Sequence, residues 1–294
     1  YEIHERLVGS EMCIRDSDNV TQIGGLGGEL CYLIEGSEKA LLIDGLTGVG
    51  SLKAFVRECT DLPVTLVLTH GHVDHAGASF EYGECYVNPA DVALLYEHGD
   101  IDKRYGFVVG GGKPEGAFVP KKEDVVPPCA VKTLPVQDGD VFDLGGVQIE
   151  AIAVPGHTVG TMAYLDRARR VLYSGDACNA NTLLGLPCST TVETYAKSLD
   201  HLATYLKGID KFYGGHGLQA VPAYIVDEAL ILCEEILSDA DDRFETEFLG
   251  RKFLYARKFD GMFHREDGGI ANIAYVMEKV YNCLLYTSPS PRDA

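Results

Sequence analysis

The sequence predicts an α/β fold of mixed sheets with helices on their outer faces, and three observations carry that prediction. Short β-branched runs alternate with apolar repeats at helical spacing. The order of strands followed by helix occurs in each half of the chain, without a repeat at residue level. Apolar residues make up 46% of the 294 residues, enough for a sizeable core.

Leu30–Ile34 and Lys39–Ile43 read as strands joined by a tight turn at Glu35-Gly36-Ser37-Glu38. Val49, Leu52, Phe55, Val56 and Cys59 recur at helical spacing and predict a helix over about 49–59. Pro63–Leu68 is a β-branched run suited to a buried strand, and Cys85–Asn88 a second short strand followed by a helix near Pro89–Glu97. From Glu97 to Val126 regularity disappears, with Gly110-Gly111-Gly112 in the middle read as flexibility, so this stretch is expected to be a long loop acting as a lid. Strands return at Val147–Val154, Thr161–Leu165 and Arg170–Ser174. Thr190-x-x-Glu193 reads as a capping box for a helix with Val192, Tyr195, Ala196, Leu199, Leu202 and Leu206 on its apolar face. Lys211–Tyr213 is a brief strand, and Pro222 is expected to open a helix bearing Ile225, Val226, Ala229, Leu230, Cys233, Ile236 and Leu237 on one side.

The two ends read differently from the body. Residues 7–17 and 283–293 can be encoded by opposite strands of one short DNA, and they resemble translated sequencing-library adapters. Residues 1–17 and 283–294 are therefore set outside the fold, the expected domain is 18–282, and the native start and stop are expected to be missing. The formal charge of −19 becomes −17 without these ends. An acidic body repels phosphate backbones, which argues against nucleic acid as a partner. No apolar run approaches the ~20 residues that span a bilayer, so no membrane partner is expected. The seven cysteines of the body (Cys31, Cys59, Cys85, Cys129, Cys178, Cys188 and Cys233) are odd in number and lack CxxC spacing. That pattern fits thiols in a reducing compartment, and hence a cytoplasmic protein.

The chemistry concentrates after the buried strand 63–68. Thr69-His70-Gly71-His72-Val73-Asp74-His75 places three histidines and an aspartate within six residues, in a chain with nine histidines in all. Imidazole and carboxylate are the ligands that zinc and related divalent metals accept, and a tight turn can divide them between two ions. Three further groups follow strands: Pro155-Gly156-His157-Thr158, Ser174-Gly175-Asp176 and Gly214-Gly215-His216-Gly217. Each candidate ligand sits past the carboxyl end of a strand, where open α/β sheets gather their sites.

The ordered set His70-x-His72-x-Asp74-His75, His157, Asp176 and His216, preceded by Asp44, resembles the metallo-β-lactamase superfamily over nearly the whole of 18–282. The resemblance implies a four-layer αββα sandwich with a metal site along one edge. It assigns His70, His72 and His157 to a first metal, Asp74, His75 and His216 to a second, and Asp176 to the bridge. Asp44 would steady the histidine loop from behind. The implied cofactor is two Zn²⁺ per chain, with iron or manganese as alternatives. The implied activity is hydrolysis of a small-molecule ester, thioester, lactone, amide or phosphoester by hydroxide generated at the metals, with Asp74 orienting the nucleophile or moving a proton. The aspartate bridge is similar to glyoxalase II and ribonuclease Z rather than to antibiotic-degrading members. A mono-iron, persulfide-dioxygenase-like oxidoreductase stays open as a second reading, because it shares several of these ligands.

Arg251, Lys252, Arg257, Lys258 and Arg265 are read as a solvated face rather than a substrate-binding cluster. His201 reads as a surface histidine, and the roles of Asn179, Asn181, Lys103 and Tyr105 stay open.

Overall fold

The computed structural model describes residues 14–17, 19–110, 118–217, 219–248, 250–261 and 263–282. The outermost chain ends, together with Gly111 and Gly112 of the glycine run, lie outside the described residues.

Two mixed sheets face each other. The first has seven strands in sequence order: β1 (Ile14–Ser17), β2 (Val20–Gly24), β3 (Leu30–Glu35), β4 (Ala40–Ile43), β5 (Val64–Val67), β6 (Glu84–Val87) and β7 (Lys132–Pro135). The second comprises β8 (Val141–Asp143), β9 (Gln148–Ala153), β10 (Met162–Asp166), β11 (Val171–Gly175), β13 (Lys211–Gly214) and β14 (Val221–Pro222). Strand pairing is antiparallel at β2–β3–β4 and parallel at β4–β5–β6–β7 and β11–β13.

The period-two pleat sorts each strand between two cores. In β3, Leu30, Tyr32 and Ile34 join Tyr164 and Tyr173 of the opposite sheet in the central layer. Their neighbours Cys31 and Leu33 face outward onto helices α1 (Leu52–Cys59), α2 (Ser79–Tyr82) and α3 (Val92–His98) through Leu52, Val56, Phe80 and Leu95. In the second sheet Ala163, Leu165 and Leu172 turn outward onto α5 (Val192–Ala203) and α6 (Ile225–Leu237). The result is the four-layer αββα sandwich. A third sheet, in the order β12 (Thr182–Leu183), β17 (Ile273–Tyr275), β16 (Arg251–Tyr255), β15 (Phe244–Phe248), packs beside α6 and carries its own aromatic cluster.

Several expectations are corrected by the fold. The stretch from Glu97 to Val126 is not one long loop: α4 (Ile101–Gly110) occupies its first half and a 3₁₀ turn, Lys122–Asp124, its second. Arg104 hides the helix from the sequence, because this fully buried charge stands where the apolar repeat would continue. The first helix starts at Leu52 with Ser51 as cap, and Val49 packs against α4 instead. Helix α5 is capped by Thr191 accepting from the Thr194 N–H, not by Thr190. Pro222 ends a short strand beside β13, and α6 begins only at Ile225. Ile14–Ser17, set outside the fold in the sequence, pairs antiparallel with β2, a main-chain contact that any extended segment can make with a sheet edge.

Candidate metal centre

All seven candidate ligands gather at the carboxyl edge of the two sheets. Asp44 follows β4, the His70–His75 loop follows β5, His157 follows β9, Asp176 follows β11 and His216 follows β13. The backbone at this edge is specialised. Asp44 adopts a left-handed φ of 68°, uncommon for any residue but glycine although aspartate tolerates it. Gly215 lies where a Cβ would stand 2.4 Å from His75 Cε1 and 2.9 Å from Asp176 Oδ1, so only glycine lets the His216 strand approach.

Hydrogen bonds fix which nitrogen of each imidazole faces inward. The Asp44 carboxylate accepts from the Thr69 N–H at 2.7 Å, from the Thr69 hydroxyl at 2.8 Å and from His75 Nδ1 at 2.8 Å. With its proton committed to Asp44, the Thr69 hydroxyl can only accept from His70 Nδ1, 3.0 Å away. His70 therefore carries its proton on Nδ1 and turns a lone pair inward from Nε2. His157 donates from Nδ1 to the Leu183 carbonyl at 3.0 Å, which leaves its Nε2 unprotonated as well. His72 rests its Nε2 against Cys188 Sγ at 3.2 Å and faces His157 Nε2 with Nδ1 at 2.8 Å. Burial holds the pKa of His70, His72 and His157 below the usual imidazole value, so these three are neutral.

The other half of the cluster is charged. Asp176 Oδ2 lies 3.6 Å from His157 Nε2, 3.8 Å from His75 Nε2 and 3.6 Å from His216 Nε2, midway between the two halves. Asp74 Oδ2 lies 3.2 Å from His216 Nε2 and 3.7 Å from His75 Nε2. Burial opposes charge on His75, but Asp74 and Asp44 outweigh it and hold its pKa at about 9. At His216, burial is likewise overcome by Asp176 and Asp74, and the pKa stands well above the usual value. Burial would also neutralise Asp74 and Asp176, yet the adjacent imidazoles keep both carboxyls below the ordinary range.

This donor set suits divalent metal. Within each of the groups His70–His72–His157, His70–His75–Asp176 and Asp74–His75–His216, the ligand atoms lie within 4.8 Å of one another. The Nε2 atoms of His70 and His75 are buried with no hydrogen-bond partner, and both point into the cluster. Burying such a polar atom unpaired is costly; a cation would take the lone pair of His70 directly and that of His75 on displacing its Nε2 proton, since imidazole binds metal in its neutral form.

Asp91, which sequence reasoning did not single out, ties the two loops together. Its carboxylate accepts from the Gly71 N–H at 2.9 Å, the Thr158 hydroxyl at 2.7 Å and the Gly160 N–H at 2.9 Å. No spacing in the sequence links Asp91 to either loop. Cys188, beside His72, is equally invisible because it lies 116 positions away. His98 accepts from the Val73 N–H at 3.1 Å and stacks on His72 with ring centroids 5.1 Å apart. Asn179 and Asn181 line the cavity over the cluster, whereas Arg257 pairs with Glu235 and Arg265 with Asp267. Tyr105 packs in the apolar cluster under α4, Lys103 pairs with Glu97, and His201 contacts Asp138 at 3.0 Å.

Comparison with known proteins agrees with this geometry. A sequence profile described as the metallo-beta-lactamase superfamily matches residues 24–216. The acyl-coenzyme A thioesterase MBLAC2 of Gallus gallus is 29% identical over 201 residues, covering 63% of this chain and 71% of that protein. Its Homo sapiens namesake is 27% identical over 203 residues, with 63% and 71% covered. A solved metallo-beta-lactamase from Pontibacter korlensis matches with a TM-score of 0.54 at 16% identity, over 76% of this chain and 98% of that one. The sec-alkylsulfatase Pisa1 from Pseudomonas sp. matches with a TM-score of 0.57 at 16% identity, over 77% of this chain and 42% of that one. At such identities the structural likeness speaks for the fold.

Proposed function

The chain belongs to the metallo-β-lactamase superfamily, and from that premise we propose that it is a hydrolase using two divalent metal ions, zinc foremost, on a small-molecule ester, thioester, lactone, amide or phosphoester. The thioesterase relatives support the hydrolase role and favour the ester and thioester end of that range. One observation carries the two-metal reading: Asp176 Oδ2 stands between a neutral trio of inward imidazoles and a second trio that contains Asp74.

His70, His72 and His157 would hold one ion, Asp74, His75 and His216 the other, with Asp176 shared. Bound metal supplies Lewis acidity and brings the pKa of water towards neutrality. The chain's own groups do the rest. Thr69 holds His70 in the tautomer that faces its lone pair inward, and Asp44 turns the His75 ring so that Nε2 faces the same way. Asp74, kept ionised by its neighbours, would orient the attacking water or move its proton. His98, with Nδ1 occupied by the Val73 N–H, presents its other ring nitrogen to the cavity as a donor for a substrate oxygen. The working unit is proposed as residues 18–282. Cys85, Cys129, Cys178, Cys188 and Cys233, all free thiols, support a reducing, cytoplasmic setting. No helix among the described residues is long and apolar enough to cross a membrane.

Metal analysis of protein purified without added metal tests the proposal. About two zinc per chain is expected, and His75→Ala should retain about one and lower turnover at least about a hundredfold, the upper end of what losing even an outer-shell partner of a ligand costs. Full activity with one metal would overturn the two-metal reading. One iron per chain with oxygen uptake would replace it by the oxidoreductase, and protein that takes up no metal would sink both.

A further inference from the structure

The family match ends at His216, yet the chain continues through α6 and the strands β15–β17 of the third sheet, and part of that continuation reaches the site. A cavity of about 610 Å³ opens over the candidate metal centre, within the range of roughly 300–1,000 Å³ that takes a small organic ligand. His72, Asp74, His157, Asp176 and His216 line it on the metal side. Besides Val73 and Ala180, its apolar lining is Phe107 from α4, Leu183 from β12 with Leu186 just beyond it, Phe248 at the end of β15, and Phe263 from the loop between β16 and β17.

Two features restrict what this cavity can hold. First, none of its lining residues is lysine or arginine, and its formally charged members besides the imidazoles are the two aspartates. Among the described lining residues an anionic group would meet no lysine or arginine, in a chain already at −19. Second, the aromatic wall is braced rather than free. Phe263 stacks on Phe259 at 5.1 Å and meets Phe248 edge-on at 5.4 Å, while Phe259 packs on Phe244 at 5.5 Å and on Tyr255 at 4.6 Å. Such a wall offers apolar area without the entropy cost of ordering a mobile loop.

We propose that this cleft is an acyl-chain site: the substrate carries an uncharged, apolar acyl chain seated between Phe107, Leu183, Leu186, Phe248 and Phe263, with its carbonyl at the metal centre and any charged part of the leaving group outside. The proposal rests on the hydrolase reading above and deepens it by naming the substrate class. Acyl transfer to water balances simply. Water adds at the carbonyl carbon, the bond to sulfur or oxygen breaks, and the leaving thiol or alcohol takes the proton.

Calorimetric titration of the metal-loaded protein with butyrate and with decanoate tests it, because the shared carboxylate cancels and the chain remains. A fully buried methylene is worth about fourfold in affinity and a half-buried one about twofold, so over six additional methylenes decanoate should bind on the order of a hundredfold more tightly, or better. Leu186→Trp, which fills the cleft, should cut the decanoate-to-butyrate ratio at least about tenfold, and the double variant Phe248→Ser with Phe263→Ser should do the same. A variant that merely misfolds would weaken both acids together, and its thermal melt would report that loss. Equal affinity for the two acids, or a ratio unmoved in folded Leu186→Trp protein, overturns the proposal. Chain-length-dependent binding without turnover of any acyl ester or thioester would leave the cleft standing and remove the hydrolase. Turnover indifferent to chain length would do the reverse.

Discussion

Among the residues around the candidate centre, Cys188 occupies an unexpected position: a thiol rests against the outward nitrogen of His72, where a hydroxyl serves His70, a carboxylate His75 and a carbonyl His157. Burial pushes this thiol up to about 11, so it meets His72 as a neutral group. A thiol is a weak acceptor, yet it is enough to hold the Nε2 proton and keep the Nδ1 lone pair inward. Outer-shell partners of this kind commonly carry 10–100-fold in metal affinity. Cys188→Ala is therefore expected to lower affinity for the first metal about tenfold, while Cys188→Ser, which keeps an acceptor, should lie within about threefold of the parent. Competition with a calibrated chelator reads both values. If alanine and serine behave alike, stacking of His98 on His72, rather than the thiol, orients that ring.

Among the elements, α4 carries Phe107 to the cavity. Its anchor is Arg104, which is fully buried, donates to the carbonyls of Gly99 and Val126, and lies 5.0 Å over the Phe80 ring. Burial brings the guanidinium down to about 10, still charged at neutral pH. Arg104→Ala would strand two carbonyls and open a void beneath the helix. The expected cost is about 2–4 kcal/mol, read by urea unfolding. A change below about 0.5 kcal/mol would mean that α4 docks through Val108 and its apolar neighbours alone.

Across the whole molecule, the candidate centre spans the two sheets. His70 and His72 come from the first sheet and His157 from the second, and protein contacts already bridge the same seam. Tyr164 donates to the Leu68 carbonyl at 2.8 Å, Tyr32 to the Gly214 carbonyl at 2.7 Å, and Asp91 joins the two histidine loops. A cation held from both sides binds only the folded chain, so its free energy adds to stability. At metal a thousandfold above its Kd the gain is about 4 kcal/mol, and chelation should lower the melting temperature by roughly 10 °C, reversibly on returning zinc. A melt indifferent to chelator would mean that no ion bridges the sheets.

Much of this was legible in one dimension because its signals are local. Strand β5 and the histidine loop sit side by side in sequence, and the helices α1, α5 and α6 announce themselves by apolar spacing, with ends displaced by one to three residues because caps depend on side-chain contacts. Strand β15 was equally readable, Phe244, Thr246 and Phe248 alternating with Glu245 and Glu247, but passed unnoticed beside the basic residues that follow. The sequence by itself determined the kind of ligand, the strand ends that carry them and the layered fold, since residue chemistry and periodicity are properties of neighbours. Tertiary structure alone decided the tautomers, through Asp44, Thr69, Cys188 and the Leu183 carbonyl, and the clamp at Asp91. It also decided the apolar wall, because Phe107 and Phe263 stand far apart along the chain and line one cavity only when the third sheet and α4 reach the same edge.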